Sequence, residues 1–272
     1  MLLRRILLKT LLLSQNKRHL SAGRPQVVGF AFDLITAKIH VDGRFENNEL
    51  TALETLLFPK LPRDGLCLDI GANIGNHAVA FADHFAKVHA FEPNPNVFKV
   101  LRINADLKAN IVAHMIGCSS SEAEIEVIER RGNIGSTGIG FDGGESSGQR
   151  VVFSVAPLDA MGLFEDDDKM TFVKIDIEGH EADAIRGAAS TLRRHKPVIA
   201  MEIGRASISN GSNTALDSLK KLGYSHFYEI PRSHSLRRLQ RLGAIEVLPV
   251  DRLKKRNYPL LLAATNPLPF GL

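Results

Sequence analysis

Two acidic residues that follow short apolar runs are the side chains best suited to chemistry in this sequence. Asp69 precedes a turn that contains Gly71 and Gly75, and a helix is expected to begin at Asn76. Glycine permits the sharp turn and lets a ligand approach the backbone closely, and a helix start offers unpaired N–H groups. Glu92 follows the next apolar run, and an acid about 20 residues beyond such a turn typically hydrogen-bonds ribose hydroxyls. The pattern indicates a cofactor that contains a nucleoside.

The turn departs from the dinucleotide fingerprint Gly-x-Gly-x-x-Gly, because no glycine lies between Gly71 and Gly75. A carboxylate at Asp69 would repel a pyrophosphate and would attract a cation, such as the amino group beside the sulfonium of S-adenosylmethionine (SAM). The sequence therefore favours SAM as the cofactor. We expect Asp69, Gly71, Asn73 and Gly75 to hold its methionine end and Glu92 to hold its ribose.

Three segments of the chain, in this order, resemble the motifs of the FkbM family of SAM-dependent methyltransferases. They are Asp69–His77, Phe91–Pro95 and Val173–Glu181. The resemblance extends from about Leu34 to Ile203 and implies a class I, Rossmann-like methyltransferase fold with SAM as cofactor. It also implies that Asn94 lines the ribose pocket, that Gly117 lies beside adenine, and that the enzyme methylates oxygen, often on sugars or secondary metabolites.

The third segment gathers four titratable residues at the end of an apolar run, namely Asp176, Glu178, His180 and Glu181. Such a cluster at a strand end is typical of a working site. We expect Asp176 to be the active-site carboxylate and Glu178 to contact the acceptor or the cofactor. His180 is expected to act as a general base, because histidine ordinarily titrates near neutrality. For His180 and Glu181 a simple helix-start role is the alternative, since acids there favour the dipole.

Two further charged residues belong to the same sheet edge in this interpretation. Lys174 precedes Asp176 by two positions, so both side chains point to one face of the strand, where the lysine either pairs with the carboxylate or reaches solvent. Glu202 ends the next predicted strand. Oxygen and nitrogen donors of this kind can ligate metals, but no spacing requires an ion, and we expect none.

The residue types at this edge also limit the acceptor. SAM carries an electrophilic methyl group, so the protein must mainly align the acceptor and take its proton. Carboxylates suit a hydroxyl of a small molecule, a sugar or a glycolipid. The chain has no Trp and three Tyr for stacking on bases, and it lacks the motifs of nucleic-acid methyltransferases, so we expect no nucleic-acid partner. A non-catalytic SAM-binding module and, less favoured, a nicotinamide-dependent oxidoreductase remain alternatives.

The elements that must position these residues follow from hydrophobic periodicity. Strand-like and helix-like segments alternate from residue 66 onward, which indicates an α/β fold with a mostly parallel seven-stranded sheet and helices on both faces. The expected strands are 66–70, 87–91, 111–116, 123–128, 151–155, 171–176, 197–203, 224–230 and an edge or antiparallel strand at 260–264. The expected helices are 48–58, 75–85, 95–108, 180–194 and 213–222, and a small β element is expected within 27–45.

We divide the chain into a basic amphipathic segment (1–26), an N-terminal extension (27–62) and a methyltransferase domain (63–272). Residues 1–26 hold six basic residues and no acid. This segment is expected to contact an anionic membrane surface, to act as a mitochondrial transit peptide, or to pack on the domain. Glycine-rich residues 132–148 form either a linker or a lid over the cofactor.

Cysteine usage bears on the compartment. Cys67 and Cys118 form no metal or disulfide pattern, which suits a reducing environment, and Cys67 is expected to lie in the core. We therefore expect a cytoplasmic location, with or without membrane association, and a mitochondrial one as the alternative.

Overall fold

The computed structural model describes residues 1–129, 149–165, 167–230 and 246–270 of the chain. The described strands are β1 (Leu66–Ile70), β2 (Lys87–Phe91), β3 (Ile111–His114), β4 (Gly117–Cys118), β5 (Ala123–Glu129), β6 (Gln149–Ala156), β7 (Met170–Ile175), β8 (Val198–Ile203), β9 (His226–Glu229), β10 (Glu246–Val247) and β11 (Tyr258–Ala264). The described helices are α1 (Leu2–Ser21), α2 (Leu34–Asp42), α3 (Asn47–Ala52), α4 (Asn76–Phe81), α5 (Pro95–Ala105), α6 (Glu181–Gly187), α7 (Ala189–His195) and α8 (Thr214–Lys221). The predicted glycine-rich lid or linker lies outside the described residues.

Among the described residues, the main sheet contains eight strands in the order β10-β9-β11-β8-β7-β1-β2-β3. Strands β3, β2, β1, β7 and β8 pair in parallel, whereas β11 runs antiparallel to both β8 and β9. The predicted α/β class and mostly parallel sheet are confirmed, but the strand number of seven was wrong. The last long strand is antiparallel as one alternative had it, and it lies inside the sheet rather than at an edge. Its apolar run explains the position, because a strand covered on both faces is apolar throughout.

Strand β1 lies near the centre of the sheet, and all of its residues are buried. Its alternate side chains enter two separate cores, one on each face of the sheet. Leu68 packs with α6 to α8, whereas Cys67, as predicted, packs with the helices that precede β2 on the other side. The end of β1 is therefore rigidly held, and the residues that follow it lie between two packed layers.

A second sheet has the order β4-β6-β5. Strands β5 and β6 pair antiparallel along their whole length, and β4 joins β6 in parallel. The two strands predicted on either side of the glycine-rich segment are thus confirmed, with slightly wider bounds. No local feature of the sequence indicates that these two strands form a separate sheet, because the alternation of apolar residues does not specify which sheet a strand joins.

The β element predicted within 27–45 was wrong, because no strand of the described chain begins before β1 and α2 occupies this region. Asp33 caps that helix by accepting the Ile35 N–H at 2.8 Å, and Gly43, with a φ of 83°, ends it in the left-handed region. The predicted helix 48–58 is confirmed as α3, which continues through a π-helical turn, Leu53–Leu57. The predicted helix 180–194 is interrupted between α6 and α7.

Candidate active site

A cavity of about 230 Å³ lies at the carboxyl ends of β1, β2 and β7. This is the edge at which open α/β sheets bind ligands. Most of the residues predicted for the site line this one cavity: Gly71, Asn73, Glu92, Asn94, Gly117, Asp176, Glu178 and His180. Lys174 and Glu202 line it as well, whereas Asp69 and Gly75 do not.

Glu92 lies at the end of β2 with its carboxylate held by backbone. Its Oε2 accepts the Asn73 N–H at 3.1 Å, and its Oε1 accepts the Asn94 N–H at 2.8 Å. Burial raises the pKa of Glu92 to about 7, against the opposing effect of these two hydrogen bonds. A carboxylate offers about four acceptor positions, so the group retains capacity for ligand hydroxyls.

The glycines of the turn after β1 are required by steric crowding. Gly71 has a φ of 83°, and a Cβ there would lie 1.9 Å from the carbonyl oxygen of Asp176. Gly75 has a φ of 88°, and its Cβ would lie 2.7 Å from Cδ1 of Leu101. Gly75 thus lies away from the cavity, where it lets α4 start against α5, and Gly71 lets the β1 turn pass beside the end of β7.

Asp69, which was predicted to help hold the methionine end of SAM, is fully buried and does not line the cavity. It is the register partner of Lys174 on the neighbouring strand, and its Oδ1 lies 3.7 Å from the Lys174 Nζ. Within the described part of the chain neither carboxylate oxygen has a hydrogen-bond partner. Asp69 is thus separated from the cavity and acts on it through the lysine.

Lys174 links Asp69 to the cavity. Its Nζ donates to Asp176 Oδ2 at 3.1 Å, so the pairing alternative for this lysine is confirmed. Burial lowers the pKa of Lys174, but the carboxylates of Asp176, Asp69 and Glu46 outweigh burial and raise the pKa above its ordinary value. Lys174 is therefore a fixed cation and not a base, and it orients the carboxylate of Asp176.

His180 ends the turn before α6 and lines the cavity. Its Nε2 lies 3.0 Å from the Ser119 hydroxyl, and its Nδ1 lies 3.8 Å from Asp183 Oδ2. Glu181 instead accepts the Gly179 N–H at 2.9 Å, which is the helix-start alternative stated above. His180 thus has both a helix-start position and an imidazole at the cavity.

The N-terminal extension forms a wall of the cavity that the sequence did not predict. Asn76 accepts the Phe45 N–H at 2.9 Å and donates to the Phe45 carbonyl at 3.0 Å. Asn104, fully buried on α5, makes the same pair of bonds to Val28, at 2.7 and 2.9 Å. These two pairs of hydrogen bonds hold the extension against the domain and place Glu46 in the cavity wall. The Glu46 Oε2 lies 3.2 Å from the His77 Nε2. His77 belongs to the first of the three motifs, and this was the one feature of the sequence that could have pointed to this wall of the cavity.

The described residues contain no group of three or more His, Cys, Asp or Glu side chains arranged to hold a metal ion. The parallel strands β3, β2, β1, β7 and β8, with an antiparallel strand next to β8 and a cavity at the carboxyl edge, define a Rossmann-like α/β fold.

The chain belongs to the FkbM methyltransferase family, because the model of the methyltransferase FkbM domain matches residues 69–226, more than half of the chain. The hexuronic acid methyltransferase AglP of Haloferax volcanii is 29% identical over 141 residues, which are 51% of this chain and 56% of that protein. The match therefore spans little more than half of the relative's length.

Two solved structures are also similar. The methyltransferase FkbM from Methylobacillus flagellatus KT is 16% identical with a TM-score of 0.42, over 92% of this chain and 59% of that chain. The fibrillarin from Aeropyrum pernix, solved with natively bound SAM, is 14% identical with a TM-score of 0.43, over 80% of this chain and 72% of that chain.

Proposed function

We propose that this protein uses SAM to methylate a hydroxyl group of a small-molecule, sugar or glycolipid acceptor. One observation carries the proposal: a single cavity at the carboxyl edge of the sheet receives both the Glu92 carboxylate and the Asp176 carboxylate. Membership in a methyltransferase family supports the reaction type. The name of the AglP relative, a hexuronic acid methyltransferase, supports a sugar as the acceptor.

The residues present fit SAM. Glu92, whose carboxylate is already positioned by two backbone N–H groups, would hold the ribose, and the turn at Gly71 and Asn73 would lie against the methionine end. Asn94 lines the cavity beside Glu92, and Gly117 lies on the wall proposed for adenine. When bound, SAM supplies a methyl group on a sulfonium, which is electrophilic without further activation.

The acceptor side of the proposal uses the residues after β7. Asp176, held by the Lys174 ammonium, accepts a hydrogen bond from a neighbouring donor group of the acceptor and so positions the reacting hydroxyl. His180 takes the proton of the reacting hydroxyl at Nε2, which exchanges its contact with the Ser119 hydroxyl for one with the acceptor. Glu178 contacts the acceptor from the same turn. No nucleic-acid contact is needed at any of these positions.

The test compares the full chain with two glutamate variants. Calorimetric titration with SAM and with NAD measures cofactor choice, and labelled SAM with a cell extract measures methyl transfer. Glu92→Gln should weaken SAM binding at least tenfold, because one charge-assisted bond to a hydroxyl is lost. Glu126→Gln, an exposed acid on β5, is the matched control and should bind SAM like the unaltered protein.

The alternatives predict other results in the same assay. Heat with NAD and none with SAM would support an oxidoreductase and would refute the proposal. Heat with SAM but no labelled product from extracts would support a non-catalytic binding module.

We also propose that α1 contacts an anionic membrane surface from the cytoplasmic side. No residue of α1 is buried, and the helix carries exposed leucines and five Lys or Arg side chains with no acid. In the described part of the chain, no helix has the length and apolar character that crossing a bilayer requires. Sedimentation with anionic and with neutral vesicles tests the contact, and deletion of residues 1–22 should abolish it. Binding that survives the deletion, or import of the leader into mitochondria, would contradict the proposal.

A further inference from the structure

One end of the cavity is lined by Glu46, His77 and Glu202, to which the proposed methyl transfer assigns no role. A small cavity of about 20 Å³ adjoins the main one there. The two cavities share five polar lining residues: Glu46, His77, Lys174, Asp176 and Glu202. Glu92 and Asn94, proposed to hold the cofactor ribose, line only the main cavity. The shared end is thus distinct from the cofactor end, and Asp176 belongs to it.

Glu46 and His77 reach this end from two different elements. Their side chains are 12% and 8% exposed, and the Glu46 Oε2 lies 3.2 Å from the His77 Nε2. Glu46 has a φ of 51°, a left-handed conformation that glutamate seldom adopts. This contact joins the extension to the first turn of α4, next to the buried lysine.

The two residues that precede Glu46 are both held by hydrogen bonds. Phe45 is held by the two hydrogen bonds with Asn76. Arg44 turns away from the cavity and makes a paired contact with Glu54, at 2.5 and 2.7 Å. Together with the contact to His77, these bonds hold the Glu46 carboxylate at a defined position, as a group that recognises a ligand must be.

From this geometry we infer that the shared end is an acceptor subsite, in which Glu46 and His77 bind the hydroxyl groups of a sugar ring beside Asp176. The inference rests on the proposed function and names the acceptor as a polyhydroxyl compound. A carboxylate accepts hydrogen bonds from neighbouring hydroxyls, and imidazole and ammonium groups donate to ring or hydroxyl oxygens. Of the described residues, no Phe, Tyr or Trp lines the small cavity, so an aromatic acceptor finds no stacking partner there.

In this proposal Glu46 and His77 are positioning residues and take no part in proton transfer. Their loss should therefore raise the acceptor KM, while SAM affinity and kcat change little. A residue that only anchors the extension would lower the melting temperature without that selective change in KM. The comparison of KM with kcat thus distinguishes the two roles.

The probes are methyl β-D-glucopyranoside and methyl β-D-glucopyranosiduronate, a neutral sugar and its acid. Labelled SAM measures transfer to each, and saturation-transfer NMR on the full chain loaded with S-adenosylhomocysteine measures binding. Glu46→Gln and His77→Gln should each raise the KM roughly tenfold or more, the effect of one charge-assisted hydrogen bond. Asp42→Asn is the matched control, because it removes an exposed acid from the same extension that lines neither cavity and does not hold Glu46.

The outcomes separate this inference from the proposed function. If SAM binds but neither glycoside binds or is methylated, the acceptor subsite is refuted and cofactor use stands. An unchanged KM in Glu46→Gln and His77→Gln, or the same rise in Asp42→Asn, refutes it also. Should both cavity variants fail to fold, glycoside binding to the unaltered protein decides. Failure to bind SAM refutes the proposed function itself.

Discussion

The pH dependence of Glu92 gives the sharpest prediction, because burial and ligand binding act on its carboxylate in opposite directions. Burial raises the pKa of Glu92 from 4.5 to about 7. Folding therefore favours the protonated carboxyl, whereas the unfolded chain releases the proton at lower pH. The stabilising contribution of the protonated form is complete below pH 4.5, and it is lost as the pH rises to about 7.

The magnitude follows from the difference between the two pKa values. A rise from 4.5 to about 7 corresponds to roughly 3 kcal/mol of unfolding free energy, since one pKa unit is about 1.4 kcal/mol. Glu92→Gln cannot titrate, so it should lack this dependence. Its amide loses one of the two backbone hydrogen bonds, which costs roughly 1–3 kcal/mol at every pH. The contribution of the Glu92 titration can be distinguished from that of the lost hydrogen bond, because only the titration changes the unfolding free energy with pH.

The assay is urea unfolding of both proteins without ligand at several pH values between about 4.5 and 8. The unfolding free energy of the unaltered protein, minus that of Glu92→Gln, should fall by about 3 kcal/mol over this range and then level off. Subtracting the variant removes the contribution of the histidines, which titrate in both proteins. SAM, whose ribose favours the ionised carboxylate, should bind more tightly as the pH rises through 7. A difference that is flat or that rises with pH would refute the assignment of this buried carboxylate.

Three further variants test the framework of the site. Gly71→Ala should destabilise the protein by at least about 3 kcal/mol, because the new Cβ would collide with the Asp176 carbonyl oxygen and alanine disfavours a positive φ. A loss of unfolding free energy below about 1 kcal/mol, measured by urea unfolding, would contradict this steric argument. Lys174→Met should cost roughly 3–5 kcal/mol by leaving the buried Asp69 carboxylate without its cation, and adding Asp69→Asn should recover part of that loss. Additive losses in the double variant would show that the two residues are not coupled. Asn104→Ala should cost about 2–4 kcal/mol of unfolding free energy and speed proteolysis of the extension, because three hydrogen bonds are lost. An unchanged rate of cleavage would show that these hydrogen bonds do not hold the extension in place.

The strand ends that carry the site could be predicted from the sequence because their signals are local. Each apolar run is followed by an acid or a glycine turn, and parallel strands place such positions at one edge. Glu92, Asp176 and His180 accordingly meet at the cavity. The sequence also placed Lys174 and Asp176 on one strand face, since they are two residues apart, but it left open whether the lysine pairs or reaches solvent.

The position of Asp69 could not be predicted in this way. Its role at the turn was inferred from its place in the chain, but its partner is decided by the register of β1 against β7. That register sets Lys174 opposite Asp69, so the lysine takes the place expected for a ligand cation. Interstrand register depends on the packing of both sheet faces, which a single strand does not encode.

The sequence by itself determined the order of strands and helices, the glycine turn and the acids at the strand ends, because hydrophobic period and turn chemistry are local properties. Tertiary structure alone decided that the N-terminal extension closes the cavity and that Glu46 meets His77. Those contacts depend on Asn76 and Asn104, whose amides bind backbone far away in the chain. An asparagine amide can satisfy a peptide group anywhere in the fold, so its partner is known only once the chain is folded.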